Sequence, residues 1–330
     1  MNIGLNRTSQ LFQNQTNTKN KFNLSSSLIP IEKLGEGTYG SVYKVINSQT
    51  NTVYAIKVVK NFNNSEGVPT TSLREIILLK FLDHPNIVKL NDINMTPKHI
   101  ELCLEYCQYD LLKFINLYKE NKEIYTLHTI KNFLYQILTG VNYLHSKKVI
   151  HRDLKPGNIM INNNTLKIGD FGLSRIYSIH KKQYTKEVST LWYRSPELLL
   201  GLDEYGIELD MWAIGCILGE LLFKRPIFMG ENELSQLNVL FEVYGLFDDD
   251  ILPGFKYFPK YNSGFNICKG IGLRKYFEEN SKFEIDNVCF DLVEKLLKIN
   301  PKERILSKEA LEHVSFFIYL LILYRNFLMT

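Results

Sequence analysis

The chain has 330 residues, of which 45% are hydrophobic and 22% are charged. This composition lies in the range of soluble globular proteins and excludes a wholly disordered or collagen-like chain. At roughly 150 residues per domain, the length allows one large domain or two lobes that share a cleft. The formal net charge of +4 is too small to indicate a nucleic-acid partner, and none is expected.

The cysteines argue against a secreted or metal-cluster protein. They form no CxxC pair, their number is odd, and no secretory signal stands in front of them. The pattern is typical of reduced thiols in an intracellular protein, so we expect the chain in the nucleus, the cytoplasm or both. The five are Cys103, Cys107, Cys216, Cys268 and Cys289.

Both ends of the chain differ from the middle. Residues 1–29 are rich in Asn, Gln, Ser and Thr and have no helical or strand period, which predicts a disordered extension. Near the other end, Val314–Tyr324 is apolar for only eleven residues, against the ~20 that a membrane-spanning helix needs. We therefore expect core packing and no membrane association there, and residues 318–330 form an apolar tail of unknown role.

The region from Leu34 to Leu104 is mainly strand-like. Ser41–Ile46 and Thr52–Val59 alternate β-branched and aromatic residues and are separated by a polar turn. One helix, Ser72–Leu82, interrupts the strands, because its apolar residues recur at helical spacing.

After Tyr109 the pattern becomes mainly helical. In Leu127–Ser146 the apolar residues fall at i, i+3, i+4 and i+7, which predicts an amphipathic helix. A β-rich N-terminal lobe followed by a helical C-terminal lobe predicts a cleft near the boundary, at Glu105–Asp110.

The segment Gly35–Gly40 has the pattern GxGxxG. A dinucleotide site would need this motif to end a strand and begin a helix. Here a strand follows, so we expect a hairpin whose backbone amides close over a triphosphate.

Lys57 lies inside an apolar strand, where an ammonium without a counter-charge would be costly. Its partner would be a phosphate or a carboxylate, and Glu75 on the predicted helix is the natural candidate. Taken alone, Lys57 could equally be a surface residue of its strand.

The most specific motif is His151–Asn158, followed by Leu166–Gly172. Phosphoryl transfer requires mainly positioning and charge neutralisation. Asp153 could orient an incoming hydroxyl, while Asp170 and Asn158 offer the oxygen ligands that Mg²⁺ prefers. Lys155 could reach the transferred phosphate. Each residue alone could be an ordinary polar loop residue, but their order along the chain makes coincidence an inadequate explanation.

With these motifs, the chain from about Ile31 to Phe317 resembles a eukaryotic protein kinase, and more narrowly a cyclin-dependent kinase. The resemblance implies an α+β bilobal protein kinase fold. It has a small antiparallel β-sheet N-lobe with one helix, at about residues 30–106, and a larger, mainly helical C-lobe at about 107–317.

The resemblance also implies ATP and Mg²⁺ as cofactors. Asp153 would be the catalytic base, assisted by Lys155 and Lys57, and Asn158 and Asp170 would bind Mg²⁺. Lys155 is typical of the Ser/Thr branch. The implied ATP-binding residues are Leu34, Gly35, Glu36, Gly37, Thr38, Tyr39, Gly40, Val42, Ala55, Lys57, Glu105, Cys107, Asn158 and Asp170.

Two segments support the narrower placement. Glu66–Ile76 resembles the cyclin-binding helix of the family, nearest its PITSLRE-type version. Tyr184–Val188 resembles the activation segment, which makes Thr185 a target for an activating kinase. The segment has no Thr-x-Tyr pair, which argues against a mitogen-activated kinase.

Further regulatory roles are implied by the resemblance. Phosphorylated Thr185 would be bound by three guanidinium groups, those of Arg74, Arg152 and Arg175. Glu75 would move inward to meet Lys57 when a cyclin binds. Thr38 and Tyr39 match inhibitory phosphorylation sites, although both could be plain loop residues.

Two structural positions also match, and one position departs from the family. Asp210 would fix the catalytic loop, and Arg304 would pair with Glu197. Ser189 stands where the family usually has Val, beside Arg194, so a preference for Pro after the target hydroxyl is expected but weakened.

The implied function is transfer of the ATP γ-phosphate to Ser or Thr of protein substrates under the control of a cyclin, in cell-cycle or transcription regulation. The cyclin would dock on the Ser72–Leu82 helix. Two alternatives remain. One is a cyclin-independent kinase of mitogen-activated or glycogen-synthase-kinase type, and the other is a pseudokinase scaffold.

Overall fold

The computed structural model describes residues 27–37, 40–60, 70–96, 99–177, 190–261, 265 and 269–316. Most of the predicted N-terminal extension and the whole predicted C-terminal tail lie outside these residues. The chain packs as two compact units. The first ends at Asp83 and resumes over Val88–Gln108, while the second takes His84–Ile87 and the chain from Tyr109 onward.

The first unit is a five-stranded antiparallel sheet with one helix, α1. The strand order is β1-β2-β3-β5-β4, and α1 follows β3 in the chain. The bounds are β1 Leu28–Gly37, β2 Gly40–Asn47, β3 Val53–Lys60, α1 Thr70–Phe81, β4 Leu90–Met95 and β5 His99–Glu105.

The alternation of apolar residues along these strands builds two small cores. One contains Val45, Ile56, Val58 and Cys103. The other contains Val59, Ile100 and Leu102 together with Ile76 of α1. Since side chains alternate between the faces of a strand, α1 covers the face to which Val59 belongs, and Lys57 belongs to that face as well.

The second unit is mainly helical. Its helices are α2 Leu111–Tyr118, α3 Leu127–Ser146, α4 Pro196–Leu199, α5 Glu208–Phe223, α6 Glu233–Tyr244, α7 Leu273–Asn280, α8 Asn287–Leu296 and α9 Ser307–Leu311. Its short strands are β6 Tyr109–Asp110, β7 Val149–Ile150, β8 Ile159–Asn162, β9 Thr165–Ile168 and β10 Arg175–Ile176. They form the ladders β6-β8-β9 and β10-β7.

The four residues His84–Ile87 belong to the second unit because they bond to it. Ile87 pairs with Ile168, the last residue of β9. The Asn86 side-chain amide donates to the carbonyl of Leu166 at 2.8 Å. The predicted N-lobe was one continuous stretch, and no periodicity in the sequence separates these residues from the strands around them.

Helix α5 forms the centre of this unit. Fifteen of its sixteen residues are buried, so it has no polar face. A helix that is apolar all round is typical of the interior of a large core. Two acidic residues, Asp210 and Glu220, are buried with it, and each bonds to a residue outside the helix.

The predicted α+β bilobal kinase fold is confirmed: a small antiparallel sheet with one helix precedes a larger helical unit. Within the described parts of the chain, no helix has the length and apolar character needed to span a bilayer.

Candidate active site

The glycine-rich segment is the hairpin between β1 and β2. Gly37 pairs with Gly40 at its end, and Thr38 and Tyr39 lie outside the described residues. Gly40 has φ of +150°, and an added Cβ would lie 1.9 Å from the carbonyl oxygen of Val58. No other residue fits there, so this glycine is required by the sheet itself, whatever the hairpin binds.

Of the predicted nucleotide-binding residues of the first unit, those that the structure describes lie on its sheet, except Cys107. Val42 faces Lys57 across the β2–β3 ladder, and Ala55 pairs with Leu104 of β5. The others are Leu34, Gly35, Glu36 and Gly37 on β1, Gly40 on β2, Glu105 at the end of β5 and Cys107 just after it.

The structure brings Lys57 and Glu75 together. The Lys57 ammonium Nζ lies 2.7 Å from Glu75 Oε1 and 2.9 Å from Oε2. The two side chains are 15% and 5% exposed, so the pair is largely shielded from water. Helix α1 thus presents a carboxylate to β3, and the ammonium of Lys57 is held at a fixed point above the sheet.

Asp210 of α5 binds the backbone of the loop after β7. One carboxylate oxygen accepts from the backbone amide of His151 and the other from that of Arg152, both at 2.9 Å. Arg152 has φ of +71°, a conformation that is costly for a residue with a side chain. The two bonds offset that cost, so the loop is fixed in a backbone shape that it would not adopt alone.

His145 supports Asp210 from α3. Its Nε2 lies 3.0 Å from an Asp210 carboxylate oxygen. Burial raises the pKa of Asp210, but the hydrogen bond and charge of His145, the charge of His151 and the backbone amide of Arg152 outweigh burial and hold the pKa below its usual value. Asp210 is therefore ionised at neutral pH and can accept both amides.

Asp153 is the most heavily bonded carboxylate of this loop. It is 6% exposed. Its Oδ2 accepts from Lys155 Nζ at 2.8 Å and from Asn158 Nδ2 at 2.9 Å, and its Oδ1 accepts from the backbone amide of Thr190 at 3.1 Å. Three residues from two separate segments of the chain therefore donate to one carboxylate.

Lys155 joins these segments. Its ammonium also donates to the hydroxyl of Thr190 at 2.8 Å. A cation 2.8 Å from the Asp153 carboxylate and open to solvent on its other side can meet an anion that approaches Asp153.

Asn158 and Asp170 are the two predicted cation ligands. Asn158 uses its amide nitrogen for both of its side-chain hydrogen bonds, to the backbone and the carboxylate of Asp153, so its oxygen is the atom suited to a cation. Asp170 follows β9 and has φ of +59°. The loops are joined by the amide of Gly169, which donates to the carbonyl of Asn158 at 2.9 Å.

The predicted phosphate-binding arginines are divided between the units. Arg74 lies on α1 of the first unit. In the second unit, Arg152 Nη1 donates to the hydroxyl of Tyr205 at 2.8 Å, and Arg175 Nη1 donates to the carbonyl of Ser174 at 3.1 Å. Thr185 lies outside the described residues.

Sequence reasoning missed several residues around the site. Thr190 contacts Asp153 and Lys155, which lie 37 and 35 positions earlier in the chain. Tyr193 and Glu220 form a buried pair, with 2.6 Å between the hydroxyl and the carboxylate, although they lie 27 positions apart in the chain. The one signal in the sequence is Glu220 itself, an acidic residue within the apolar C-terminal half of α5.

The buried pair between Arg304 and Glu197 was expected. Arg304 Nη1 lies 2.9 Å from Glu197 Oε1, and the side chains are 0% and 2% exposed. This pair joins the segment after Thr190 to the end of the chain that the structure describes.

The comparison with protein families agrees with this geometry. The family model described as the protein kinase domain matches residues 29–316 of the chain. The match contains the hairpin, the Lys57–Glu75 pair and the loops around Asp153.

Proposed function

Because the chain belongs to the protein kinase domain family, we propose that it is a cyclin-dependent serine/threonine kinase. It transfers the γ-phosphate of ATP to Ser or Thr hydroxyls of protein substrates, with a preference for Pro after the hydroxyl. The family supports the phosphotransferase activity, and the residues below support the narrower assignment.

The observation that carries the proposal is the set of bonds around Asp153. A general base must be held in place and must remain ionised. Donors from Lys155, Asn158 and Thr190 fix both oxygens of this carboxylate. A hydroxyl that displaces one of these donors would meet a carboxylate oriented to take its proton.

The oxygen ligands offered by Asp170 and Asn158 fit Mg²⁺. Mg²⁺ is usually bound by one or two carboxylates together with substrate phosphates, rather than by a complete protein cage. Asp170 and the amide oxygen of Asn158 would supply the protein oxygens, and the described residues hold no cluster of three His, Cys, Asp or Glu side chains suited to a metal. When bound, Mg²⁺ would neutralise phosphate charge.

The first unit supplies groups that would hold ATP. The amides of the glycine hairpin and the Lys57 ammonium would bind phosphates, and the backbone at Glu105 and Cys107 would bind the adenine. The Glu75 carboxylate fixes the position of Lys57, at 2.7 Å, and so prepares it for the phosphates.

Lys155 supports Ser and Thr as the acceptor residues. It bonds both the base and the Thr190 hydroxyl, and therefore narrows the space next to Asp153. A short aliphatic hydroxyl reaches a buried carboxylate beside such a cation more readily than the rigid phenol of Tyr.

Helix α1 supports control by a cyclin. Leu73, Ile77 and Phe81 recur every four residues and so form one stripe on the helix. They are 39%, 62% and 61% exposed, while Glu75 on the same helix is buried against Lys57. A partner that covers this stripe acts directly on the element that carries Glu75, which makes α1 the two-state element of regulation.

The test is phosphate transfer from Mg·ATP to three matched peptides that present Ser-Pro, Ser-Ala and Tyr-Pro. The full chain is assayed alone and as the complex purified with its cellular partners. We expect transfer to Ser-Pro only, and only by the complex. Transfer by the chain alone would favour the cyclin-independent alternative.

Asp153→Asn in the same complex should lower the transfer rate at least roughly a thousandfold, because the amide cannot take the proton. The matched control is Asp250→Asn, since Asp250 is exposed and lies far along the chain. No transfer by the unmodified complex, with Thr185 shown to be phosphorylated, would overturn the proposal in favour of a scaffold.

A further inference from the structure

Ser195 places a hydroxyl in the interior of the second unit. It stands directly before helix α4, and its side chain makes no capping bond to that helix. The residue is 1% exposed, and its hydroxyl makes no hydrogen bond to any residue that the structure describes. Burial of a hydroxyl without a partner is costly, because the hydrogen bonds that it makes to water in the unfolded chain are lost.

A small cavity lies against this hydroxyl. The space open to the centre of a water molecule is about 10 Å³, which is enough for one water molecule and too small for a larger ligand. Seven of the eight lining residues are buried, so the cavity lies inside the unit. Apart from Ser195, the polar lining comes from Arg152, Tyr193 and Asp210, and the rest is leucine and alanine.

The polar groups of the lining suit a water molecule. A serine hydroxyl offers one donor and two acceptor positions, and a guanidinium such as that of Arg152 offers N–H donors. The carboxylate of Asp210 accepts the amide of Arg152 with Oδ1, and each carboxylate oxygen can accept more than one donor. A buried water typically makes about three hydrogen bonds, and these three residues can supply them.

The charges around the cavity argue against an ion. Arg152 is a cation, and Asp210 is an anion at neutral pH. An ion of either sign would therefore meet one of the two as a like charge, whereas a neutral dipole can bond to both. The hydroxyl of Tyr193 is directed elsewhere, since it donates to Glu220 at 2.6 Å.

We propose that Ser195 binds one buried water molecule in this cavity, and that the water bridges its hydroxyl to Arg152 and Asp210. The bridge joins the segment before α4 to the loop after β7, and joins both to α5. The same two segments also meet where the amide of Thr190 donates to Asp153. The water is thus a second link between the segments around the proposed base, and the inference does not depend on the proposed function.

The experiment compares crystal structures of the full chain and of Ser195→Ala, at a resolution that shows ordered waters. In the parent we expect one water at about 3 Å from Ser195 Oγ and from a polar atom of Arg152 or Asp210. In Ser195→Ala this water should be displaced or lost. An empty cavity in the parent would overturn the inference, and so would a Ser195 hydroxyl that bonds directly to another protein group.

Thermal unfolding gives an independent test through the sign of its change. A hydroxyl that binds water contributes to stability, so Ser195→Ala should lower the unfolding midpoint by roughly 1–2 °C in a chain of this size. A hydroxyl without a partner would be unfavourable, and its removal would raise the midpoint. A midpoint that is unchanged or higher in Ser195→Ala would therefore overturn the inference.

The matched control is Ser174→Ala. Ser174 is 0% exposed, and its hydroxyl donates directly to the carbonyl of His151 at 3.1 Å. This substitution should also lower the midpoint, but it should leave the water beside Ser195 in place. Loss of that water in Ser174→Ala as well would show that Ser195 does not hold it.

Discussion

Glu220 is the residue whose protonation has the clearest consequence. It is 1% exposed, and the hydroxyl of Tyr193 donates to it at 2.6 Å. Burial raises the pKa of Glu220 to about 7, although the Tyr193 hydrogen bond lowers it in part. The folded protein therefore keeps this proton at pH values where the unfolded chain has released it.

The sign of the pH effect follows from this difference. Between about pH 4.5 and 7 the folded state binds a proton that the unfolded chain has released. The contribution of this proton to the free energy of unfolding is therefore fully present below that range and is lost as the pH rises through it. Across this range the free energy of unfolding falls by about 3 kcal/mol.

Glu220→Gln should remove this loss. The amide is neutral at every pH and can still accept from Tyr193, so we expect the variant to be more stable than the parent at pH 8 and similar at pH 5. The measurement is the thermal unfolding midpoint from pH 5 to 8, with the exposed Glu284→Gln as control. If the unfolding midpoints of the parent and of Glu220→Gln changed in parallel with pH, the raised pKa of Glu220 would be contradicted.

At the same scale, the sequence could predict some contacts of the candidate site and not others. Lys57 and Glu75 could be matched because a cation in an apolar strand needs a counter-charge. Thr190 could not, because its partner, Asp153, lies 37 positions away, and no local pattern indicates which loops meet.

The elements follow the sequence wherever periodicity was strong. Helix α3 has the predicted bounds, Leu127–Ser146, because its apolar stripe runs from end to end. Helix α1 begins at Thr70, two residues before the predicted start, since the threonines there add nothing to the apolar period. Helix α5 has no stripe at all, so only its general helical region could be predicted.

The exposed stripe of α1 gives a prediction for partner binding. Replacing Phe81 with Ser should weaken cyclin binding roughly tenfold or more, because a large apolar side chain would no longer be buried in the complex. The stability of the isolated chain should change by about 0.5 kcal/mol or less, since Phe81 is already 61% exposed.

The measurement is a binding titration with the partner protein of the purified complex, which the proposed function takes to be a cyclin. Leu117→Ser is the matched control, because Leu117 is 63% exposed on α2 of the second unit. Equal weakening by both substitutions would argue against α1 as the docking element, and no weakening by Phe81→Ser would contradict it outright.

For the whole molecule, ligand binding should appear as thermal stabilisation. A ligand at one hundred times its Kd stabilises the folded state by about 2.7 kcal/mol. At about 2.1 cal/mol/K of unfolding entropy per residue, we expect Mg·ATP to raise the unfolding midpoint of a chain of this size by roughly 4 °C. The increase should remain in Asp153→Asn, whose proposed role is in chemistry, and should shrink in Lys57→Met, which loses a phosphate contact.

The quantity to compare is the increase in unfolding midpoint that Mg·ATP causes. The midpoint without ligand is itself lower in Lys57→Met, because this substitution leaves Glu75 buried without its cation. The exposed Lys275→Met serves as control. A full increase in Lys57→Met would remove Lys57 from the nucleotide site.

The bonds around Asp153 also bear on how the protein conserves ATP when no substrate is present. A carboxylate offers about four lone-pair positions, and Lys155, Asn158 and Thr190 already use three of them. A stray water molecule therefore finds only one remaining position on this carboxylate, unless it displaces a donor. In the proposed kinase, the contacts that hold the base ready for a protein substrate would thus also limit futile hydrolysis.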